Sequence, residues 1–230
     1  MESHIAARTK TAFIFDLDGT LLDSVYDHVM AWAQALRENG IAVPIWKIHR
    51  RIGMSGGLFT TALVRELGRD IDEATQQRLR DRHAEIYNSV SATIPPLPGA
   101  MALLEHLTAN EIPWAIATSS HIKTAGPLLA KVGVDPTRHV VITRDQVRYA
   151  KPDPDLFLAA AEKLGIDNTL CCVVGDAVWD MLASRRARCL GIGLLAGGYG
   201  EDELIRAGAY RVFQDPADML SHIDELGGRR

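Results

Sequence analysis

Two carboxylates close together in the chain are the residues best suited to chemistry. An apolar run at residues 13–15 ends in Asp16 and Asp18, which lead directly into Gly19 and Thr20. Removing a carboxylate from water costs free energy unless a cation, a proton or hydrogen bonds compensate. The pair therefore indicates a metal site, an acid/base pair or both. The competing interpretation is a plain turn after a strand, since Asp-Gly is a common turn pair.

Polar residues also follow two other apolar runs. Residues 118–120, which read Thr-Ser-Ser, come directly after the run at 114–117. Asp176 follows the run at 171–174, and Asp180 comes four residues later on a predicted helix. Because ligands of open parallel sheets bind beyond the carboxyl ends of the strands, we expect these groups to converge with the first pair.

The carboxylates at these strand ends suit a hard divalent cation. Asp16, Asp18 and Asp176 offer a small set of oxygen ligands, which is typical of Mg²⁺ because that ion keeps waters and binds phosphate oxygens as well. The sequence has no cluster of histidines and cysteines with zinc-ligand spacing. The expected cofactor is therefore Mg²⁺.

The other polar residues at these ends suit phosphate. Thr118 and Ser119 offer hydroxyl and backbone N–H donors where a helix begins, and helix N-termini favour phosphate groups. Lys151 stands just before another predicted helix and supplies a compact positive charge. By itself Lys151 would be interpreted as a solvated surface lysine, since lysine is mostly exposed in proteins.

Short apolar runs that alternate with amphipathic stretches predict the elements that carry these residues. The predicted strands are Ala12–Phe15, Trp114–Ala117, Val140–Ile142, 171–174 and Leu190–Leu194. One helix is predicted at 100–110, before the second strand. The second, third and fourth strands are followed by predicted helices at 123–132, Asp155–Leu164 and Val178–Ala187, respectively. Asp153 is the predicted N-cap of the helix at 155, with Pro154 in its first turn. This alternation predicts a parallel sheet covered by helices on both faces.

Residues 24–94 interrupt the alternation and read as helices alone. Helices are predicted at Val25–Glu38, 58–67 and Glu73–Val90, and a proline-rich stretch at 95–99 closes the region. We expect a helical insertion after the first strand. The predicted division is a core domain of residues 1–22 and 96–230 with a cap domain of residues 23–95.

Composition narrows the class of protein. The 230 residues are 47% hydrophobic and 23% charged, which is ordinary for a globular protein, and the net charge of −4 argues against a nucleic-acid partner. No apolar run is long enough to span a membrane, and residues 1–10 lack a secretory apolar region. Three cysteines without framework spacing are expected as buried small side chains in a reducing compartment. Together these features favour a cytoplasmic protein.

Four motifs in order make the chain resemble the haloacid dehalogenase-like (HAD) superfamily. The resemblance is to the branch of phosphoglycolate-phosphatase-like and β-phosphoglucomutase-like proteins, and it covers nearly the whole chain. The motifs are Asp16-Leu17-Asp18-Gly19-Thr20, Thr118-Ser119-Ser120, Lys151-Pro152, and Gly175-Asp176 with Asp180. The resemblance implies an α/β fold, with a Rossmann-like parallel sheet core, helices on both faces and an inserted α-helical cap domain.

The resemblance also implies a role for each motif residue. Asp16 is the implied nucleophile and a Mg²⁺ ligand. Asp18 is the implied general acid/base, protonated at first, and its backbone carbonyl also binds Mg²⁺. Asp176 completes the protein's metal ligands, and Asp180 supports the site from its edge.

The implied phosphate ligands complete the set. Thr118 and Lys151 hold the transferring phosphoryl group, with Ser119 nearby, and Lys151 also takes part in catalysis. The implied reaction is Mg²⁺-dependent hydrolysis of a small-molecule phosphate monoester through an aspartyl phosphate. The partner is then a small phosphorylated metabolite, bound by a monomer or a homodimer.

Departures from the family pattern bear on the alternatives. Ala177 and Trp179 stand where the family often has a small polar residue and an asparagine, so polar support from those positions is missing. A β-phosphoglucomutase-like phosphosugar mutase is the main alternative, but residues 52–56 lack the lysine and the later arginine of the mutase loop. A dehalogenase would lack Asp18, and an inactive phosphometabolite sensor would not need an intact set of acids.

The loop at residues 49–57 of the predicted cap is a separate question. Its glycines allow mobility, and Arg51 and Ser55 are candidate contacts for an anionic substrate. The competing interpretation is a turn between cap helices with solvated charges.

Overall fold

A parallel sheet forms the centre of the computed structural model, which describes residues 11–68 and 71–228. Within those residues the sheet has six strands in the order β3-β2-β1-β4-β5-β6. The strands are β1 (Ala12–Phe15), β2 (Trp114–Ala117), β3 (Val140–Ile142), β4 (Cys171–Gly175), β5 (Leu190–Leu194) and β6 (Ala209–Phe213). The strand order reverses beside β1, which pairs in parallel with both β2 and β4.

Helices cover both faces of this sheet. The helices of the described chain are α1 (Val25–Glu38), α2 (Ile45–His49), α3 (Gly56–Leu67), α4 (Glu73–Val90), α5 (Ala100–Ala109), α6 (Ile122–Leu129), α7 (Asp155–Leu164), α8 (Val178–Ala187), α9 (Glu201–Ala207) and α10 (Pro216–Ser221). Because successive side chains of a strand point to opposite faces, Phe13 and Phe15 enter one apolar layer, with residues of α5, α6 and α10. Ile14 enters the other layer, with residues of α7 and α8. The predicted α/β class is confirmed.

The helices α1 to α4 lie between β1 and β2 in the chain and share an apolar cluster of their own. Trp32 of α1, Phe59 of α3 and Leu79 of α4 are buried in this cluster. The chain leaves the sheet and returns to it side by side, since the amide of Asp23 donates to the carbonyl of Pro95 at 3.0 Å. We call residues 25–93 the helical segment.

The sequence also predicts a division into a core domain and a cap domain. The division into residues 1–22 with 96–230 and residues 23–95 stays a prediction. Residues 1–10, 69–70 and 229–230 of those ranges lie outside the described residues.

Several elements escaped sequence analysis, and one predicted cap is wrong. Three of the missed helices, α2, α9 and α10, are too short to show a clear apolar period. The missed strand, β6, is an edge strand with exposed residues at its centre, so its sequence does not show one either. Asp153 is not the N-cap of α7, because the helix begins at Asp155 and Pro154 occupies the cap position. The carboxylate of Asp153 instead lies 3.4 Å from Arg186.

The cysteines are free thiols, as expected. Cys171 and Cys172 are buried on β4, and Cys189 is half-buried just before β5. Among the described helices none is both long and apolar enough to cross a bilayer.

Candidate active site

The carboxyl edge of the sheet brings three of the predicted site residues together. Phe15 pairs with Ile116 of β2 and with Val174 of β4, so these three strands end at the same level. Asp16, Thr118 and Asp176 follow the ends of the three strands, and all three are buried. The convergence predicted from the sequence is therefore present.

A buried ammonium stands at the centre of this edge. The Nζ of Lys151 lies 2.6 Å from Oδ1 of Asp16 and 2.8 Å from Oδ1 of Asp180. Burial alone would lower the pKa of Lys151, but the two carboxylates outweigh it and hold the pKa above its ordinary value. Lys151 is therefore a fixed positive charge, and the interpretation as a surface lysine is wrong.

The carboxylates around it outnumber the cations. Asp16, Asp176 and Asp180 each present an oxygen within 4.8 Å of the others. Burial, partly offset by Lys151 and increased by Asp180, raises the pKa of Asp16 to about 7. Burial and then the charges of Asp180 and Asp16 raise the pKa of Asp176 well above its ordinary value, although Thr20 donates a hydrogen bond to its Oδ1 at 2.9 Å. The arrangement calls for a further positive charge, and its all-oxygen chemistry fits a divalent cation such as Mg²⁺.

The side chain of Asp18 turns away from this cluster toward the helical segment. Ser24 and Tyr87 donate to its Oδ1 at 2.8 and 2.9 Å, and Ser120 donates to its Oδ2 at 3.0 Å. Nε2 of His28 lies 3.3 Å from Oδ1. Desolvation opposes ionisation, but the charge of His28 and these hydrogen bonds outweigh it and hold the pKa of Asp18 below its ordinary value. This environment departs from the expectation that Asp18 starts out protonated.

A second histidine orients the first. Nδ1 of His28 lies 3.0 Å from Nε2 of His83, and the ring of His83 stacks on Trp32. Desolvation, followed by the neighbouring charge of His28, holds the pKa of His83 well below its ordinary value, so His83 is neutral and can accept a hydrogen bond from His28. The other nitrogen of His28 is thereby directed at Asp18.

Sequence analysis missed the residues that hold Asp18. Ser24, His28 and Tyr87 are polar groups supplied by the helical segment and its entry, and Tyr87 is 69 residues from Asp18. The available signal was the position of His28, which falls on the apolar face of α1 between Val25 and Val29.

The predicted phosphate ligands differ in what their side chains do. Thr118 is buried at the cluster, and its Oγ1 accepts a hydrogen bond from the amide of Ser120 at 3.0 Å. The hydroxyl of Ser119 donates to the carbonyl of Gly53 at 3.3 Å, which ties β2's end to the helical segment. A cavity of about 150 Å³ opens between the sheet edge and that segment, with Asp16 and Lys151 in its lining.

The two loop residues expected near a substrate are engaged elsewhere. Arg51 lines the cavity, but its guanidinium pairs with Glu66 and donates to the carbonyl of Lys47 at 2.6 Å. Ser55 is the N-cap of α3, where its hydroxyl accepts from the amide of Leu58 at 3.4 Å. A substrate role for Arg51 and Ser55 stays a prediction.

Direct contacts join the loop after α2 to the sheet domain. The indole of Trp179 and the hydroxyl of Tyr199 both donate to the carbonyl of Arg50, at 3.2 and 2.9 Å. The guanidinium of Arg50 lies 4.3 Å from the Tyr199 ring centroid and pairs with Glu203. We call Arg50, Trp179, Tyr199 and Glu203 the latch. Trp179 stands where the family often has an asparagine, and its indole is directed at the Arg50 carbonyl.

Comparisons with known proteins agree with this geometry. A family model described as haloacid dehalogenase-like hydrolase matches residues 10–188. A curated relative named hexitol phosphatase A, from Escherichia coli (strain K12), is 34% identical over 179 residues, covering 77% of this chain and 79% of that protein. A phosphoglycolate phosphatase from Rhodospirillum rubrum is 32% identical over 90% of this chain and 88% of its own.

A solved structure is more similar still. The crystal structure of a hydrolase from Pseudomonas syringae superposes with a TM-score of 0.92 at 52% sequence identity, covering 94% of this chain and 99% of that one. The fold and the sequence are therefore both shared with hydrolases.

The crowded carboxylates predict an unusual stability profile. Because the folded protein favours the protonated forms of Asp16 and Asp176, its stability without added metal should fall as pH rises from about 4 to about 7. We expect Asp176→Asn to stabilise the chelator-treated protein at pH 8 by roughly 1–3 kcal/mol, since it removes one uncompensated buried charge. Urea unfolding at pH 5 and pH 8 measures this difference.

Asp202→Asn is the matched control, because Asp202 is an exposed residue of α9 that pairs with the exposed Arg206. It should leave the stability almost unchanged at both values of pH. An Asp176→Asn variant that is no more stable than the wild type at pH 8 would contradict this description of the cluster.

Proposed function

Because the chain belongs to the haloacid dehalogenase-like hydrolase family, as its motifs predicted, we propose that it is a Mg²⁺-dependent phosphatase of small phosphate monoesters. Its class is that of hydrolases acting on phosphate esters. The proposed reaction proceeds through a phosphoryl group carried by Asp16. The observation that supports it most strongly is the buried cluster of Asp16, Lys151, Asp176 and Asp180 at the switch point of the sheet.

The metal would be held by Asp16 and Asp176, with Asp18 contributing its main-chain carbonyl. The carboxylate of Asp18 is already engaged by Ser24, Tyr87 and Ser120, which supports this division. When bound, Mg²⁺ neutralises the excess of buried negative charge and stabilises charge on the phosphoryl oxygens. Asp180 acts through Lys151, which it fixes at 2.8 Å.

Asp16 is the proposed nucleophile. Lys151 holds one of its oxygens at 2.6 Å and so orients the carboxylate toward the cavity. A carboxylate oxygen forms a bond to phosphorus while the bond from phosphorus to the ester oxygen breaks, and water then attacks the aspartyl phosphate to release phosphate and Asp16. A covalent intermediate divides one difficult substitution into two easier ones. Thr118 and Lys151, with Ser119 nearby, hold the transferring group.

Proton transfer falls to Asp18 together with His28. The leaving alkoxide needs a proton in the first step, and the attacking water must lose one in the second. Nε2 of His28 lies 3.3 Å from Oδ1 of Asp18, so a proton carried by the His28 ring can pass through the Asp18 carboxylate to the alkoxide. In the second step the ionised Asp18 is ready to accept a proton from water.

The helical segment is proposed to act as a cap over a small substrate. It supplies one wall of the cavity and two of the groups that fix Asp18, which are His28 and Tyr87, while Ser24 at its entry adds a third. Closed lids exclude bulk water from reactions of this kind. The curated relatives are named as phosphatases of small metabolites, which supports hydrolysis over the mutase alternative.

Loss of the nucleophile or of the metal tests the proposed reaction directly. We expect Asp16→Asn to lower the turnover of p-nitrophenyl phosphate by at least about 10³-fold, with the circular dichroism spectrum unchanged. A chelator should stop turnover by the wild type, and added Mg²⁺ should restore it.

Asp202→Asn again provides the control for an unrelated loss of charge. Near-normal activity of Asp16→Asn would refute the assignment of the nucleophile. Full activity in the chelator would exclude the proposed cofactor.

The role of His28 predicts a dependence on the leaving group. We expect His28→Gln to lower kcat/KM for an alkyl ester, glycerol 3-phosphate, by roughly 100-fold, because general acid catalysis contributes about that much or more. The loss for p-nitrophenyl phosphate should be much smaller, since nitrophenolate leaves without a proton.

His139→Gln changes a half-buried histidine that stacks on Trp114 and does not line the cavity, so it serves as the control. Equal losses for the alkyl and aryl esters would assign His28 a structural role instead.

The latch predicts how the cap affects binding. Tyr199→Phe with Trp179→Phe removes both donors to the Arg50 carbonyl, at about 1 kcal/mol for each hydrogen bond, and leaves a phenyl ring at each position. If the latch favours the closed cap, KM should rise roughly tenfold in the double variant with a smaller change in kcat.

Tyr210→Phe, on the exposed face of β6, is the matched control. Increased cleavage by protease within the helical segment should accompany the rise in KM. An unchanged KM and an unchanged protease pattern would show that the latch does not control the cap.

A further inference from the structure

The cations that line the cavity differ in whether the protein itself neutralises them. Three of them have a carboxylate partner, since Lys151 pairs with Asp16 and Asp180, Arg51 with Glu66, and Arg80 with Glu73. Two histidines of the lining, His28 and His121, also lie beside the carboxylates of Asp18 and Asp145. Arg144 also lines the cavity, and no carboxylate in residues 11–68 or 71–228 forms an ion pair with it. Within the described part of the chain, Arg144 therefore presents a positive charge that no carboxylate pairs with.

Backbone carbonyls hold the guanidinium of Arg144 in place. Its Nη1 donates to the carbonyl of Val147 at 2.6 Å, and its Nη2 donates to that of Arg148 at 3.3 Å. These bonds fix the orientation of the side chain without neutralising it. An arginine has five N–H donors and keeps its charge at all relevant pH, so donors are left over for a ligand.

The main chain of Arg144 ties it to the leaving-group side of the reacting centre. Its amide donates to the carbonyl of Ser120 at 3.1 Å, and the hydroxyl of Ser120 donates to Asp18 at 3.0 Å. Asp18 is the proposed proton donor to the leaving alkoxide. Arg144 is thus two hydrogen bonds from the residue that meets the alcohol portion of the ester.

We propose that Arg144 binds a second anionic group, a carboxylate, on the alcohol portion of the substrate. The substrate class is then the phosphate esters of hydroxy acids and sugar acids, rather than those of neutral polyols and sugars. A planar guanidinium matches a carboxylate with two parallel hydrogen bonds, and a cavity of about 150 Å³ suits a small acid. This inference rests on the proposed phosphatase function and deepens it.

Matched pairs of esters test the assignment by a ratio of rates. The pairs are 3-phosphoglycerate with glycerol 3-phosphate, and 6-phosphogluconate with glucitol 6-phosphate, which differ by a carboxylate at two chain lengths. We expect the wild type to have the higher kcat/KM for the acid in at least one pair. In Arg144→Gln the acid-to-neutral ratio for that pair should fall roughly 10- to 100-fold, as for the loss of a charge-assisted hydrogen bond.

Arg148→Gln is the matched control, because it makes the same change of charge four residues away. The guanidinium of Arg148 lies over the ring of Tyr149, and Arg148 does not line the cavity. Its acid-to-neutral ratio should equal that of the wild type. Arg144→Lys, which keeps the charge and loses the fork, should have an intermediate ratio.

Three results would overturn the assignment. The first is that the wild type does not prefer the acid in either pair. The second is that Arg144→Gln leaves the acid-to-neutral ratio of kcat/KM unchanged, and the third is that Arg148→Gln lowers this ratio as much as Arg144→Gln does. The wild type could instead prefer fructose 1,6-bisphosphate over fructose 6-phosphate and show no preference for the acids. If Arg144→Gln abolished that preference, the second anion bound by Arg144 would be a phosphate rather than a carboxylate.

Binding separates this inference from the proposed reaction. Calorimetry with Asp16→Asn and Mg²⁺ should show tighter binding of the preferred acid than of its neutral partner, and the additional Arg144→Gln change should remove the difference. If the acid still binds more tightly than its neutral partner while the wild type hydrolyses no ester, the phosphatase proposal fails and the proposed role of Arg144 is supported. If hydrolysis proceeds and binding does not discriminate, only the role of Arg144 fails.

Discussion

An imbalance of buried charge is the constraint on which this site depends. Asp16, Asp176 and Asp180 share the single ammonium of Lys151 in surroundings that exclude water. A phosphate ester would bring further negative charge into the same space, so it cannot bind there favourably without another cation. The proposed divalent ion would meet this need, and the raised pKa of Asp16 and Asp176 reflects the same excess of buried negative charge.

The sheet topology is what allows such crowding. Because β1 lies between β2 and β4, the residues that follow three separate strands meet within a few ångströms of one another. The packing is close enough to require glycine at three positions, one of which is Gly19, where a Cβ would also overlap Asp176. A Cβ at Gly197 would overlap the carboxylate of Asp176, and a Cβ at Gly175 would overlap the side chain of Asp180. The backbone thus holds the carboxylates close together. Their mutual repulsion lowers the free energy of unfolding, and the packing of the sheet offsets this loss.

The sequence predicted the reacting residues better than it predicted their surroundings. Short apolar strands or helix starts lie next to Asp16, Asp176 and Lys151 in the sequence. Because the carboxyl ends of parallel strands meet at one edge of a sheet, this was enough to predict that the three residues lie together. The partners of Asp18 were not predictable in the same way, because Tyr87 reaches it from the far end of α4 and His28 reads as one more residue of an amphipathic helix. Short or exposed elements such as α2 and β6 were missed because they bury too little to leave an apolar period.

The availability of a charge to a ligand depends on tertiary pairing, and two arginines show this. Arg51 stands in a glycine-containing loop that sequence analysis placed near a substrate, yet Glu66 of α3 neutralises it within the helical segment. Arg144 has no motif around it, yet it lines the same cavity, and its guanidinium donates to the carbonyls of Val147 and Arg148. Neither outcome follows from spacing along the chain, because ion pairs form between whatever side chains the fold brings together. The type of reaction can accordingly be predicted from the motifs. Selectivity for the rest of the substrate depends instead on which cationic side chains the folded protein does not pair with a carboxylate.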